Sequence, residues 1–199
     1  MQHRYVAPFG PSGTARMDAD LARRLLRVAL SRGGDYADLF FEYDVGGSYV
    51  YEDGILKSAG RGVTMGLGVR VRKDDATGYA YCEDLELASM EHAARIASQI
   101  ADADGHEPVG LAPVVPPSRY GVDVYSLDVP GEDKRALLRR ADETARAVDP
   151  RVERVEASIS EQLREILVAS SDGRMVHDVQ PLLRFGIRVI ARDGQKRQS

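Results

Sequence analysis

Four histidines, one cysteine and a few carboxylate and hydroxyl groupings are the side chains that could do chemistry here, and their spacing decides what. A metal centre needs about four His, Cys, Asp or Glu ligands in tetrahedral array, or three plus water. The histidines are His3, His92, His106 and His177, and no two are near neighbours in sequence. His106-Glu107 opens like a zinc-peptidase helix, in which two histidines a turn apart flank a glutamate that activates water. Pro108 breaks such a helix at once, and Gly110 stands where the second ligand belongs. His106 therefore reads as a loop residue.

Ser170, Ser171, Asp172 and His177 supply the residue types of a hydrolytic triad. However, Ser171-Asp172-Gly173 is also turn chemistry, in which short polar side chains and a glycine satisfy the bend. Glu52-Asp53 could pair two carboxylates, yet adjacent strand residues point to opposite faces. Cys82 stands alone in an apolar segment, which suits a small core residue and excludes an internal disulfide framework, as in a reducing cytoplasm. Gly60, Gly62, Gly66 and Gly68 superficially resemble a phosphate loop, but no helix N-terminus follows them to gather N–H groups on an anion. They read as positions of close packing or as a flat surface for an extended peptide. The residues by themselves assign no catalytic, cofactor-binding or metal site.

The elements that would position these groups are legible. Asp18 is an N-cap for a helix carrying Leu21, Ala22, Leu25, Leu26 and Ala29, stopped by Gly33-Gly34. Strands are expected at 36–43, 48–52, 63–72 and 78–82, with a turn at Asp53-Gly54. A second helix begins at Asp84 and has its stripe on Met90, Ala93, Ala94, Ala97, Ile100 and Ala101. Residues 103–130 hold five of the nine prolines and form a connector. A third helix covers about 132–148, with Leu137, Leu138, Ala141, Ala145 and Val148 on one face. Strands at 152–160, 165–170 and 182–191 close the chain.

The order helix, strands, Asp-Gly turn, GxRV strand occurs twice. Asp53-Gly54 precedes Gly68-Val69-Arg70-Val71, and Asp172-Gly173 precedes Gly186-Ile187-Arg188-Val189. An internal repeat is expected, and by it the chain ends inside or just before the last strand of its second unit. The expected organisation is a flexible leader (1–16), then one domain over 17–199. That domain comprises a first unit (17–102), the connector (103–130) and a second, truncated unit (131–199). Hairpin-linked strand groups between helices imply an α+β fold, a curved and mostly antiparallel sheet with the helices packed on one side.

The run Gly34-Asp35-Tyr36-Ala37-Asp38-Leu39-Phe40-Phe41-Glu42 leads to Glu52-Asp53-Gly54, then Gly66-Leu67-Gly68-Val69-Arg70-Val71 and Thr77-Gly78-Tyr79-Ala80-Tyr81. Ala169-Ser170-Ser171-Asp172-Gly173 and the closing segment 189–199 complete the series. In that order these segments resemble the N-terminal domain of the TldD/PmbA family, with the closing segment and the GxRV strand more similar to the TldD branch. The resemblance implies a cytoplasmic metallopeptidase that degrades unfolded peptides and processes modified precursors. It implies a partner subunit, a second TldD or a TldE-like chain, and some family members were named as modulators of DNA gyrase. The family's zinc is held by a His-Glu-x-x-x-His helix and a cysteine in a C-terminal domain, and no residue here matches that motif. The expected role is therefore non-catalytic, helping to form the substrate groove and subunit contacts. A free-standing peptide- or protein-binding module is the alternative, and the reading frame after codon 199 would separate the two.

Composition bounds these readings. With 27 Lys and Arg against 31 Asp and Glu, the net charge of −4 argues against a bulk electrostatic grip on nucleic acid. Two arginine clusters, Arg23, Arg24 and Arg27 and then Arg139 and Arg140, sit beside acidic residues as solvated helix faces. No apolar run approaches the ~20 residues of a membrane-spanning helix.

Overall fold

The computed structural model describes residues 4–117 and 120–198. Its elements are α1 (Ala19–Ala29), β1 (Tyr36–Glu52), β2 (Ile55–Lys73), β3 (Ala76–Cys82), α2 (Leu87–Ser98), β4 (Ala112–Val114), α3 (Gly131–Val148), β5 (Val152–Ser170), β6 (Arg174–Asp193) and β7 (Lys196–Gln198). One seven-stranded sheet runs β3-β2-β1-β5-β6-β4, with β7 also on β6. Every pairing is antiparallel except the short one between β4 and β6. The fold is α+β, with its helices on one face of an open sheet.

Alternation along the strands explains this layering, because successive side chains leave opposite faces. Leu39, Phe41 and Val45 on β1, Leu67, Val69 and Val71 on β2, and Ala157, Ile159, Leu163, Leu167 and Ala169 on β5 are all buried. They share their face with α1 and α2 in the main core, and with Leu138 of α3 in a smaller one. Asp18 caps α1 as expected, its carboxylate accepting the Leu21 N–H at 2.9 Å. Asp53 and Gly54 both have positive φ (49° and 79°), the geometry of a two-residue hairpin turn whose twist matches the strands.

Several expected boundaries are corrected. The strands read at 36–43 and 48–52 are one strand, β1, and those at 152–160 and 165–170 are one strand, β5. Within β1, Gly47 stays in the ladder opposite Arg61 and Glu161. A Cβ there would lie 2.7 Å from Glu161 Oε1, so the missing side chain makes room for a glutamate. The second helix starts at Leu87, and Asp84 instead accepts the Glu86 N–H.

On α3 the face turned to the sheet is Lys134, Leu138 and Asp142, while Leu137 and Val148 are exposed. Ionic partners on the sheet, described below, choose that face over the purely apolar stripe. The leader expected to be flexible is packed: Ala7 and Phe9 are fully buried, and the Phe9 ring sits 5.5 Å from that of Phe41. Its Pro and Gly residues shape turns, with Gly10 N–H bonded to Ala7 O and Ala15 N–H to Pro8 O.

The two hairpins share one register. An offset of 118 carries the pair Phe40–Gly68 onto Ser158–Gly186, and Val45–Val63 onto Leu163–Pro181. The one-residue slip at the turns is local. The second turn has three residues (171–173) where the first has two, and a register shift at Val50/Tyr51 restores the first hairpin. β1 and β5 pair antiparallel at the middle of the sheet, so the hairpins sit about a local two-fold axis.

Candidate functional site

The uncovered face of the sheet carries the strongest candidate surface. Register places Phe40 of β1, Gly68 of β2 and Tyr81 of β3 in one row, with Glu42 and Gly66 in the next. Tyr79 and Tyr81 are 63% and 69% exposed. With Thr64, Cys82 and Glu83 these residues line a shallow groove of about 250 Å³. The glycines are there for close approach. A Cβ on Gly68 would lie 2.7 Å from the Tyr79 hydroxyl, and one on Gly66 2.6 Å from the Cys82 carbonyl oxygen. The groove therefore has aromatic walls and a backbone floor, suited to an extended chain lying flat.

Its surroundings are held by charge. Arg164 Nε bonds Glu42 at 2.6 Å, and its guanidinium lies 6.0 Å over the Phe40 ring. Arg70 bonds Asp38 through two nitrogens at 2.6 and 2.8 Å, and the Asp38 carboxylate keeps that guanidinium above its usual pKa. The same end of the face holds Ser170, whose hydroxyl donates to Asp172 and so keeps that carboxyl below its usual range. Burial raises the pKa of the Tyr36 hydroxyl close by, and the charge of Asp38 adds to the effect.

The triad types do not assemble. Ser170 meets Asp172, and Ser171 Oγ accepts the Ala37 N–H at 3.0 Å. His177 lies on the covered face, its Nε2 2.7 Å from Glu165 Oε1. Glu52 meets Arg154, and Asp53 meets Arg146 while accepting the Val155 N–H, so these neighbouring carboxylates serve separate partners. Burial pushes the Cys82 thiol pKa up, with Asp84 adding to it, which disfavours a thiolate nucleophile. His92 and His106 are exposed, and His3 lies outside the described residues.

Among the described residues no three His, Cys, Asp or Glu side chains converge on a point. The nearest approach is His177 with Glu165, whose second oxygen accepts the Ala7 N–H at 3.0 Å. That leaves one imidazole and a committed carboxylate, which does not fit a zinc ion.

A buried ionic cluster escaped the sequence reading. Glu161 of β5 is fully buried, and its Oε1 receives Lys134 Nζ of α3 at 2.7 Å and Arg61 of β2 at 3.3 Å. Lys134 also lies 5.3 Å from the Tyr49 ring centroid. The one signal available was a lysine recurring with Leu138 and Ala141 at helical spacing, which reads as solvent-facing when seen alone. The cluster ties α3 to the sheet and sits apart from the groove.

The described residues thus form an α+β domain whose sheet is built about a local two-fold axis. Residues 37–101 match the family model for PmbA/TldA metallopeptidase domain 1, and residues 125–199 match the PmbA/TldA metallopeptidase central domain. The chain belongs to the PmbA/TldD metallopeptidase family. Similar relatives include a metalloprotease TldD homolog of Haemophilus influenzae, 36% identical over 84% of this chain and 35% of that protein. A Buchnera aphidicola homolog of the same name is 32% identical over 87% of this chain and 36% of its own length.

The chain thus spans about a third of the curated relatives it matches. Similar folds include a modulator of DNA gyrase from Bacteroides thetaiotaomicron (TM-score 0.68, 18% identity, 95% of this chain and 44% of that one). TldE from Thermococcus kodakarensis is another (TM-score 0.64, 17% identity, 90% and 40%). No helix among the described residues is long and apolar enough to cross a membrane.

Proposed function

We propose that this chain is the N-terminal, non-catalytic part of a TldD-type zinc metallopeptidase subunit that degrades or processes unfolded or modified peptides. In this reading it works in the cytoplasm, beside a second TldD or TldE-like subunit. The zinc is held by a C-terminal domain of the kind that the remaining two thirds of the relatives provide. The observation that supports a role in the substrate groove is the row Phe40, Gly68 and Tyr81, an aromatic-walled floor free of side chains. An extended peptide fits such a surface because its backbone approaches the glycines while its side chains meet the rings.

The test joins this chain to the C-terminal remainder of a TldD homolog and measures cleavage of an unstructured peptide. Tyr79→Ala with Tyr81→Ala should raise KM several-fold and leave kcat nearly unchanged, because the groove binds substrate without touching the reacting atoms. An unchanged KM, with no photo-crosslink from peptide to residues 79–82, would refute the groove assignment.

The free-standing binding module stays a second reading because β3 is the outermost strand of the sheet and its outer edge is unpaired among the described residues. A stop codon directly after codon 199 would favour it. A downstream frame encoding the His-Glu-x-x-x-His helix would decide for the peptidase.

A further inference from the structure

A second concavity lies on the helix-bearing face, where the N-terminal segment before α1 meets β4. It measures about 560 Å³, more than twice the groove at Tyr79 and Tyr81, a size typical of small-molecule sites. Phe9, Met17 and Met175, all buried, close its floor. Residues 113–116 form one wall, on which Val114 and Val115 are 48% and 91% exposed. Arg16 and His177 bring polar groups to this largely apolar lining.

Floor and wall share one framework. The Met17 N–H bonds the Phe9 carbonyl at 3.0 Å, and the Phe9 ring packs on Phe41. On the wall, β4 pairs with β6 at Arg174–Val176, and the Ala112 N–H bonds the Gly173 carbonyl at 2.8 Å. His177 Nε2 is committed to Glu165 at 2.7 Å. Its Nδ1 has no partner among the described residues, and neither has the Arg16 guanidinium. Asp18 also borders the cavity, but its carboxylate accepts the Leu21 N–H as the cap of α1. A cation and an imidazole nitrogen are therefore the side-chain groups left to meet a ligand.

We propose that this cavity binds a small carboxylic acid with an apolar body, its carboxylate on Arg16 and His177 and its body against Met17, Met175 and Val115. Charge selects the anion, since a cation would meet Arg16 with like charge and a neutral molecule would leave the guanidinium unpaired. Among anions a planar carboxylate matches the guanidinium fork. The body takes Val115 and Val114 out of water, which favours an apolar one. Methionine side chains adapt to bodies of differing shape, so selection rests chiefly on the carboxylate. The groove at Tyr79 and Tyr81 lies on the opposite face of the sheet, so this site and the peptidase reading stand or fall separately.

The test titrates N-acetyl-phenylalanine, or its amide, into the chain carrying ¹³C-methyl methionine and follows the methyl signals by NMR. Met17 and Met175 border this cavity and Met65 borders the groove, so the methyls report which site fills. The acid should move Met17 and Met175 with a Kd of about a millimolar or below, as its size allows. It should bind about tenfold tighter than the amide, the worth of a charge-assisted hydrogen bond. Arg16→Gln changes an exposed side chain and should erase most of that difference. Val115→Glu sets a like charge on the wall and should weaken the acid several-fold. Circular dichroism should show both variants folded. Equal affinity for acid and amide, a preference that survives Arg16→Gln, or shifts confined to Met65 would overturn the proposal. So would binding at Met17 and Met175 by a tetrapeptide ending in phenylalanine but not by the free acid, because a chain end would then be the occupant.

Discussion

Replacing Lys134 by methionine probes the buried cluster that fixes α3 on the sheet. Lys134 and Glu161 side chains are 5% and 0% exposed, and their charged atoms are 2.7 Å apart. Breaking such a pair by removing one partner costs about 3–5 kcal/mol, because the other charge is left buried without compensation. Arg61 stays within 3.3 Å of the same oxygen, though it is 30% exposed, so some compensation survives. That places the cost near the lower bound, about 3 kcal/mol, or a Tm lower by about 6–12 °C in a domain of this size. Methionine matches the length of the lysine stem, so little packing is lost.

Urea unfolding followed by far-UV circular dichroism gives the free energy, with m unchanged if the native state is intact. Lys134→Met with Glu161→Met should recover most of the loss, since an apolar pair of similar volume can replace a buried ion pair at little cost. A single variant within about 1 kcal/mol of the parent would refute the electrostatic account. So would a double variant no more stable than the single one.

Three further outcomes are expected. Phe9→Ala should destabilise by about 3–5 kcal/mol in the same assay, a value for an integral core ring and far above that for a loose leader. The Asp149 carboxyl is held at about 2 by hydrogen bonds from the Arg151 side chain and backbone. Its folded value is depressed, so its contribution is present above pH ~4 and lost as pH falls through 2. Asp149→Asn should accordingly flatten the loss of stability between pH 4 and 2. After dialysis the chain should retain no stoichiometric zinc by atomic absorption and show no chelator-sensitive peptidase activity.

Residue patterns gave away those parts of the molecule that depend on local chemistry. Asp18 at the start of α1 and Asp53-Gly54 between β1 and β2 need only their own side chains and backbone to act, so a few residues suffice to recognise them. Longer-range effects were hidden. The stretch 36–52 reads as two strands until Glu161 lies beneath Gly47, and Phe9 reads as leader until Phe41 lies against it. The apolar stripe on α3 pointed to Leu137 and Val148, whereas Glu161 draws Lys134 inward and turns the helix. On the uncovered face, the strand pattern disclosed Gly66 and Gly68. Tyr79 and Tyr81 stood in a short strand whose exposure depends on its place at the sheet edge, which only topology reveals.

The seam between β1 and β5 has a consequence for how the chain reaches this structure. Each hairpin closes through a loop of two or three residues, a microsecond event with little loop entropy to overcome. The seam joins residues such as Val45 and Leu163, 118 positions apart, and must wait for long-range closure. Two preformed hairpins meeting late leave both inner edges, β1 and β5, open in the interval. Those edges carry similar registers and the same alternation, so at high concentration β1 of one molecule can find β5 of another. The local symmetry that makes the native sheet continuous therefore also makes exchange of hairpins between molecules the characteristic misfolding route, and dilution during refolding the means to suppress it.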